Sequence, residues 1–234
     1  MKKILAAALA CAVSSFATWD YFPIQDAGKG EARLGVNFDM PAEKFKALSI
    51  DADVRFSVIE GLEAAAFFNI PLAAWEDGDS VDDVTGLQQP VLGVRYLLPM
   101  GLGVFADLTL PFSVGDHYGD DLDLDAGVQF STELGSELSI GSEVGIRNLI
   151  TDGPMDLAIG VEGRYSLGSI SPWFGAEFLI GVGDDAADLG INPFLGLTFD
   201  ISETLDANVG ATFGLGDRYG DTPIWINANV VLGF

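Results

Sequence analysis

The sequence predicts an all-β chain: a closed antiparallel transmembrane β-barrel of 12 strands in an up-and-down meander. Three observations point there. Large apolar residues recur at alternate positions in twelve segments, most of them near the ~9 to 11 residues that a tilted membrane-spanning strand needs. Within those segments nearly every charge has the opposite parity, so one face is left for lipid and the other for an interior. The connections alternate between short and long, as they do when tight turns lie on one side of a membrane and larger loops on the other.

The segments run in order as follows. Ala32, Leu34, Val36 and Phe38 oppose Arg33, Gly35, Asn37 and Asp39. Leu48, Ile50, Ala52, Val54, Phe56 and Val58 oppose Asp51, Asp53, Arg55 and Ser57. Leu62 to Leu72 and Leu92 to Leu98 follow, the latter with Arg95 inward, and Leu102 to Phe112 carries Asp107 inward. Leu122 to Phe130 sets Leu122, Leu124, Ala126, Val128 and Phe130 against Asp121, Asp123, Asp125 and Gln129. Leu138 to Ile146 has Glu137, Glu143 and Arg147 inward, and Leu157 to Tyr165 has Glu162 and Arg164. Ile170 to Ile180, Leu195 to Phe199, Leu205 to Leu215 and Ile224 to Phe234 complete the set.

The short links are Glu60-Gly61, Pro99-Met100-Gly101, Leu134-Gly135-Ser136, Leu167-Gly168-Ser169 and Ile201-Ser202-Glu203. The long ones are Pro41 to Lys46, Trp75 to Gln88, Gly115 to Asp120, Asn148 to Pro154, Val182 to Gly190 and Gly216 to Pro223. A soluble sandwich also alternates. The link pattern distinguishes the two, and an even strand count puts both termini on the side of the short turns. Pro71, Pro90, Pro111, Pro154, Pro193 and Pro223 fall near the outer strand ends, where a missing N–H does least harm to a ladder. The 29 glycines suit a sheet that must curve to close.

Lys2, Lys3, the apolar run Ile4 to Val13 and the approach Ser15-Phe16-Ala17 read as a secretory signal peptide over residues 1–17, cleaved after Ala17. Its removal takes two lysines and no acids from a chain of net charge -24, which argues against nucleic acid and anionic membrane surfaces as partners. The single cysteine, Cys11, lies inside the signal, so the exported chain has no disulfide. Ala8 stands where a lipoprotein cleavage box usually has leucine. Residues 18–30, with Trp19, Tyr21 and Phe22, form an N-terminal segment, either a periplasmic leader or one packed into the lumen. The barrel itself is expected over residues 31–234.

The last stretch, ending Val230-Val231-Leu232-Gly233-Phe234, resembles the terminal strand of Gram-negative outer-membrane β-barrel proteins. The resemblance implies that Phe234, Leu232 and Val230 are the assembly signal read by the barrel-assembly machinery, with outer-membrane lipid around the finished wall. Asn192-Pro193-Phe194-Leu195-Gly196-Leu197-Thr198-Phe199 and the hairpin that follows, about a fifth of the chain, are similar to the C-terminal halves of small outer-membrane transporters, the phenol-degradation-associated group among them. That likeness implies a transporter and names no substrate residue.

Candidate functional residues follow from the inward parity. Arg33, Arg55, Arg95, Asp107, Glu143, Arg147, Glu162, Arg164 and Glu177 are expected to line the lumen, among further acids Asp51, Asp53, Glu63, Asp125 and Asp206. Acids exceed bases, and charged rings set ion preference by their field, so weak cation preference is expected for the passage of small solutes. The competing expectation is that these groups pair across and plug the lumen. Acids also cluster in the long connections, as in Glu76, Asp77, Asp79, Asp82 and Asp83, without the spacing of a calcium loop. His117 is the only histidine and by itself identifies no catalytic site. There is no Gly-x-Ser-x-Gly and no metal-ligand set of histidines or cysteines, so neither an enzyme nor a cofactor is expected. A closed structural or adhesive barrel with acidic extracellular loops as its interaction surface is the alternative to the pore.

Overall fold

The computed structural model describes residues 21–23, 26–99, 101–115, 121–150, 154–183 and 186–234. The strands are β1 (Gly30–Ala42), β2 (Phe45–Ile59), β3 (Leu62–Glu76), β4 (Asp79–Ser80), β5 (Val91–Leu97), β6 (Leu102–Thr109) and β7 (Asp123–Leu134). β8 (Leu138–Arg147), β9 (Met155–Tyr165), β10 (Ile170–Val182), β11 (Gly190–Ser202), β12 (Leu205–Phe213) and β13 (Ile224–Gly233) follow. Apart from β4, which is skipped by a β3–β5 pairing, each strand pairs antiparallel with its sequence neighbour, and β1 pairs with both β2 and β13, so the ring closes. The two-residue β4 only folds back on Trp75 and Glu76. The wall therefore has twelve strands. Closure satisfies every strand edge, which is what lets a sheet stand in hydrocarbon.

Side chains alternate as the period predicts. Leu34, Val36, Val54, Phe56, Phe174 and Leu195 are exposed on the outside, while Arg33, Asp53, Arg55, Glu63 and Glu162 are buried on the inside. No helix among the described residues is long and apolar enough to cross a membrane. The short turns carry Gly61, Gly101, Gly135 and Gly168 at φ 76° to 80°, the left-handed conformation that glycine adopts without strain.

Four details differ from the sequence expectation. Pro41 to Lys46 is a tight hairpin, with β1 reaching Ala42 and β2 starting at Phe45. Leu72 is an extra residue in β3, because Leu48 pairs Ala73 while Ser49 pairs Pro71. That bulge changes the parity and turns Ala74 inward, where it joins Phe45, Ala47 and Val84 in an apolar cluster. Val84 belongs to the β3–β5 connection, so this loop folds over the mouth. Its return limb continues the ladder, with Gly86 N–H donating to Pro71 O and Gln88 N–H to Asn69 O. β11 begins five residues earlier than the alternation suggested, at Gly190, and contains Pro193. Ile191 N–H donates toward β12, at Leu215, so the absent N–H of Pro193 falls on that same side. The Ile191–Leu215 bridge and the Phe194–Thr212 pair share one register, so Pro193 faces Phe213 and its missing N–H interrupts the β11–β12 ladder between them. Glu137, expected inward, is exposed at a turn and accepts a hydrogen bond from Tyr165.

The seam joins Ala32 to Leu232 and Leu34 to Val230 through ten pairs. Gly30 and Phe234 exchange both backbone hydrogen bonds, at 2.9 Å each, and a Cβ on Gly30 would stand 2.5 Å from the Phe234 ring. Phe234 thus covers the bare backbone of Gly30. Phe234→Ala is expected to cost stability by about 1 to 3 kcal/mol through lost apolar contact and to slow insertion. An unfolding midpoint equal to wild type in lipid vesicles would refute it.

Candidate functional site in the lumen

The inward arginines lie against the wall, paired mainly with carboxylates on adjacent strands. Arg33 on β1 donates from Nε and Nη2 to Asp53 on β2, at 2.8 and 2.7 Å. Arg55 on β2 donates to Glu31 on β1 at 3.0 and 2.7 Å and stands 3.8 Å from Glu63 on β3. Arg95 and Asp107, on β5 and β6, are joined by two bonds of 3.1 and 3.2 Å. Arg95 also lies between the rings of Phe67 and Phe105. Such pairing answers the desolvation of each charge locally, so the charges do not need one another across the bore.

Arg147 reaches farther. It stands 3.9 Å from Asp125 on β7 and pairs with Glu177 on β10, skipping β9. The skipped strand carries Gly160 between Glu143 and Glu177 in register, with Ala158 at the next inner-face position, and side chains so small let Arg147 reach past β9. Glu177 accepts from Asn192 at 3.1 Å, and Asn192 in turn accepts from the Tyr219 hydroxyl. Arg218, next to Tyr219 in the β12–β13 loop, binds Asp156 of β9 with two bonds of 2.7 and 2.6 Å. This loop is therefore strapped inward over the outer opening, with Tyr219 set edge-on to Trp225. Glu143 accepts from Gln129 at 3.1 Å. Arg164 lies over the Phe22 ring.

What fills the middle of the bore is aromatic. Tyr21 stacks on Phe194, which is tilted against Trp173, and Phe22 packs on this cluster. The sequence allows residues 18–30 to be a leader or a lumen segment, and Tyr21 and Phe22 lie in the lumen. Arg55 donates to Phe22 O at 2.9 Å, which anchors the segment to the wall. Glycines make the room: a Cβ on Gly141 would be 2.6 Å from the Tyr21 Cβ, and one on Gly160 would collide with the Tyr21 hydroxyl. Trp173 in the same way lies on Gly196 and Gly210.

Of the nine charged residues expected in the lumen, Arg33, Arg55, Arg95, Asp107, Arg147 and Glu177 form wall-side ion pairs more than a common ring. Sequence reasoning gave the Tyr21 and Phe22 insertion as one of two alternatives and set Asn37 and Asn227 on the inner face, but it missed the Arg218 to Asp156 strap and the hydrogen bonds of Asn37 and Asn69 to Asp51. His117, Asp116, Asp120, Asp184, Asp185 and residues 1–17 lie outside the described residues.

No family model matches the sequence, and no curated protein does. Solved structures match across nearly the whole chain. The COG4313 outer membrane channel from Pseudomonas putida F1 superposes with TM-score 0.64 at 15% identity, over 92% of this chain and 98% of that one. The NanC porin gives 0.60 at 11% identity, over 86% and 98%. The CymD monoaromatic hydrocarbon channel gives 0.53 at 9% identity, over 89% and 88%. At such identities the likeness is one of fold, and the fold is that of outer-membrane channels and porins.

Proposed function

We propose that the protein is an outer-membrane channel that passes small neutral or cationic solutes through a narrow lumen, with a weak preference for cations. On this reading the signal peptide exports it, and the barrel-assembly machinery inserts it by reading Phe234, Leu232 and Val230. Its work is permeation, without catalysis or cofactor.

The charge balance of the lumen carries the cation preference. Arg33, Arg55, Arg95, Arg147 and Arg218 each hold a carboxylate within 4.0 Å. Asp39 and Asp51, on β1 and β2, have no basic partner within that distance among the described residues. Asp51 is held by amide N–H groups alone. These carboxyl groups, unanswered by an arginine, are what would favour cations along the β1–β3 wall. The aromatic surfaces of Tyr21, Phe22, Trp173 and Phe194 suit a neutral solute with an apolar face.

The test is a reversal potential. Refolded full-length protein in a planar bilayer under a potassium chloride gradient is expected to reverse on the cation side of zero. Anion-side reversal would overturn the charge argument, and absence of conductance in every salt would overturn the channel.

A further inference from the structure

We infer that Tyr21, Phe22 and Pro23 are a tethered plug that gates the channel: they leave their seat in the lumen to open it, swinging about Gly28 at the rim of the short turns. The inference rests on the channel reading above and adds how the pore opens.

The bore is shut as it stands. Asn37, Glu63, Arg95, Gln129, Glu162 and Asn227 face inward from six different strands, and each is at most 4% exposed. Water reaches almost none of that surface, so side chains rather than solvent occupy the bore. The wall does not widen to let a solute through, because each strand of the ring is hydrogen-bonded on both sides. What can move is a piece that lies in the bore or over its mouth without being a strand of the wall. Among the described residues the candidates are the Tyr21 segment, the β12–β13 loop and the β3–β5 connection.

The cost of release separates the three. The β3–β5 connection is stitched into the ladder through Gly86 and Gln88. Lifting the β12–β13 loop takes Arg218 from Asp156, which is 2% exposed, and leaves a buried carboxylate without its partner. The Tyr21 segment strands no charge. Its anchor, Arg55, keeps two bonds to Glu31 when Phe22 O departs. The seat of Tyr21 is bare backbone, Gly141 on β8 and Gly160 on β9, and these groups are paired in the β8–β9 ladder, so they stay satisfied once the ring has left. Arg164 lies over the Phe22 ring at 5.9 Å, a weak hold for a guanidinium that water can reach instead. The tether is fixed at the rim, where Gly28 N–H donates to Ser57 O and Ser57 N–H to Lys29 O, both at 2.8 Å. Gly28 has φ 78° and no atom within 4 Å of where a Cβ would stand, so the chain has open space to turn there.

Single-channel recording of refolded full-length protein in a planar bilayer tests this. The wild type is expected to switch between two current levels, the upper about twofold or more above the lower, as in a bore close to the width its own side chains fill. Tyr21→Ala with Phe22→Ala should remain at the upper level. Tyr21→Cys with Gly141→Cys, in a Cys11→Ser background, sets two Cβ positions 2.6 Å apart, about 1 Å closer than the Cβ atoms of a disulfide, a gap that a small shift of the segment supplies. Oxidation of that pair should stop the switching and reductant should restore it, while neither single-cysteine variant should respond. Heat-modifiable migration in gels confirms that each variant is folded. One steady level in the wild type, with a current through the cysteine pair that oxidation leaves unaltered, removes the plug and leaves the channel standing. Switching that survives in the double alanine variant places the gate elsewhere and overturns the inference. Absence of conductance in both the wild type and the double alanine variant removes the channel and the plug together.

Discussion

Replacing Tyr21 and Phe22 together by alanine is expected to raise single-channel conductance about twofold or more, because a twelve-stranded bore is only marginally wider than its own side chains can fill. Tyr21 is seated on Phe194 and in the hollow over Gly141 and Gly160, and Phe22 is fixed through its carbonyl to Arg55. Removing the side chains removes the obstruction and its apolar anchorage at once. Gly160→Ala approaches the same contact from the wall, since its methyl would collide with the Tyr21 hydroxyl. That variant should give a noisier, intermittently larger current. A double variant with wild-type conductance would show that the bottleneck lies elsewhere, with the strap of Arg218 on Asp156 the next place to look.

The architecture is legible in the sequence because its cause is local. A strand between lipid and lumen repeats every two residues, and Arg33 or Glu162 can be assigned to the inner face from its immediate neighbours. Pairing between facing residues is less legible, yet Arg95 with Asp107 follows once their hairpin is aligned. The occupants of the lumen have no such local mark. Tyr21 meets glycines at 141 and 160 only after β8 and β9 stand side by side, and Arg218 meets Asp156 across 62 residues of sequence. The bulge at Leu72 is equally hidden, since the apolar side chains on either side of it continue smoothly while the parity changes. Asn37 and Asn69 carry no charge, so an inventory of charges passes over the amides that hold Asp51.

The largest effect on stability is expected from breaking the pair between Arg33 and Asp53. Their side chains are 2% and 3% exposed, so water screens neither, and Asp53 also accepts from the Phe68 N–H at 3.1 Å. Arg33→Met leaves a buried carboxylate without its guanidinium, a change that costs ~3 to 5 kcal/mol where such pairs have been broken. The double variant Arg33→Met with Asp53→Leu removes the stranded charge and should recover most of that loss, since a buried pair replaced by apolar groups of similar volume is close to neutral. The comparison separates attraction from desolvation, and urea unfolding in lipid vesicles followed by tryptophan fluorescence measures both variants. Equal destabilisation of the single and double variants would mean that the two groups are uncoupled and that the cost comes from packing alone. A single variant as stable as wild type would mean that water reaches Asp53, and with it this stretch of the β1–β2 wall.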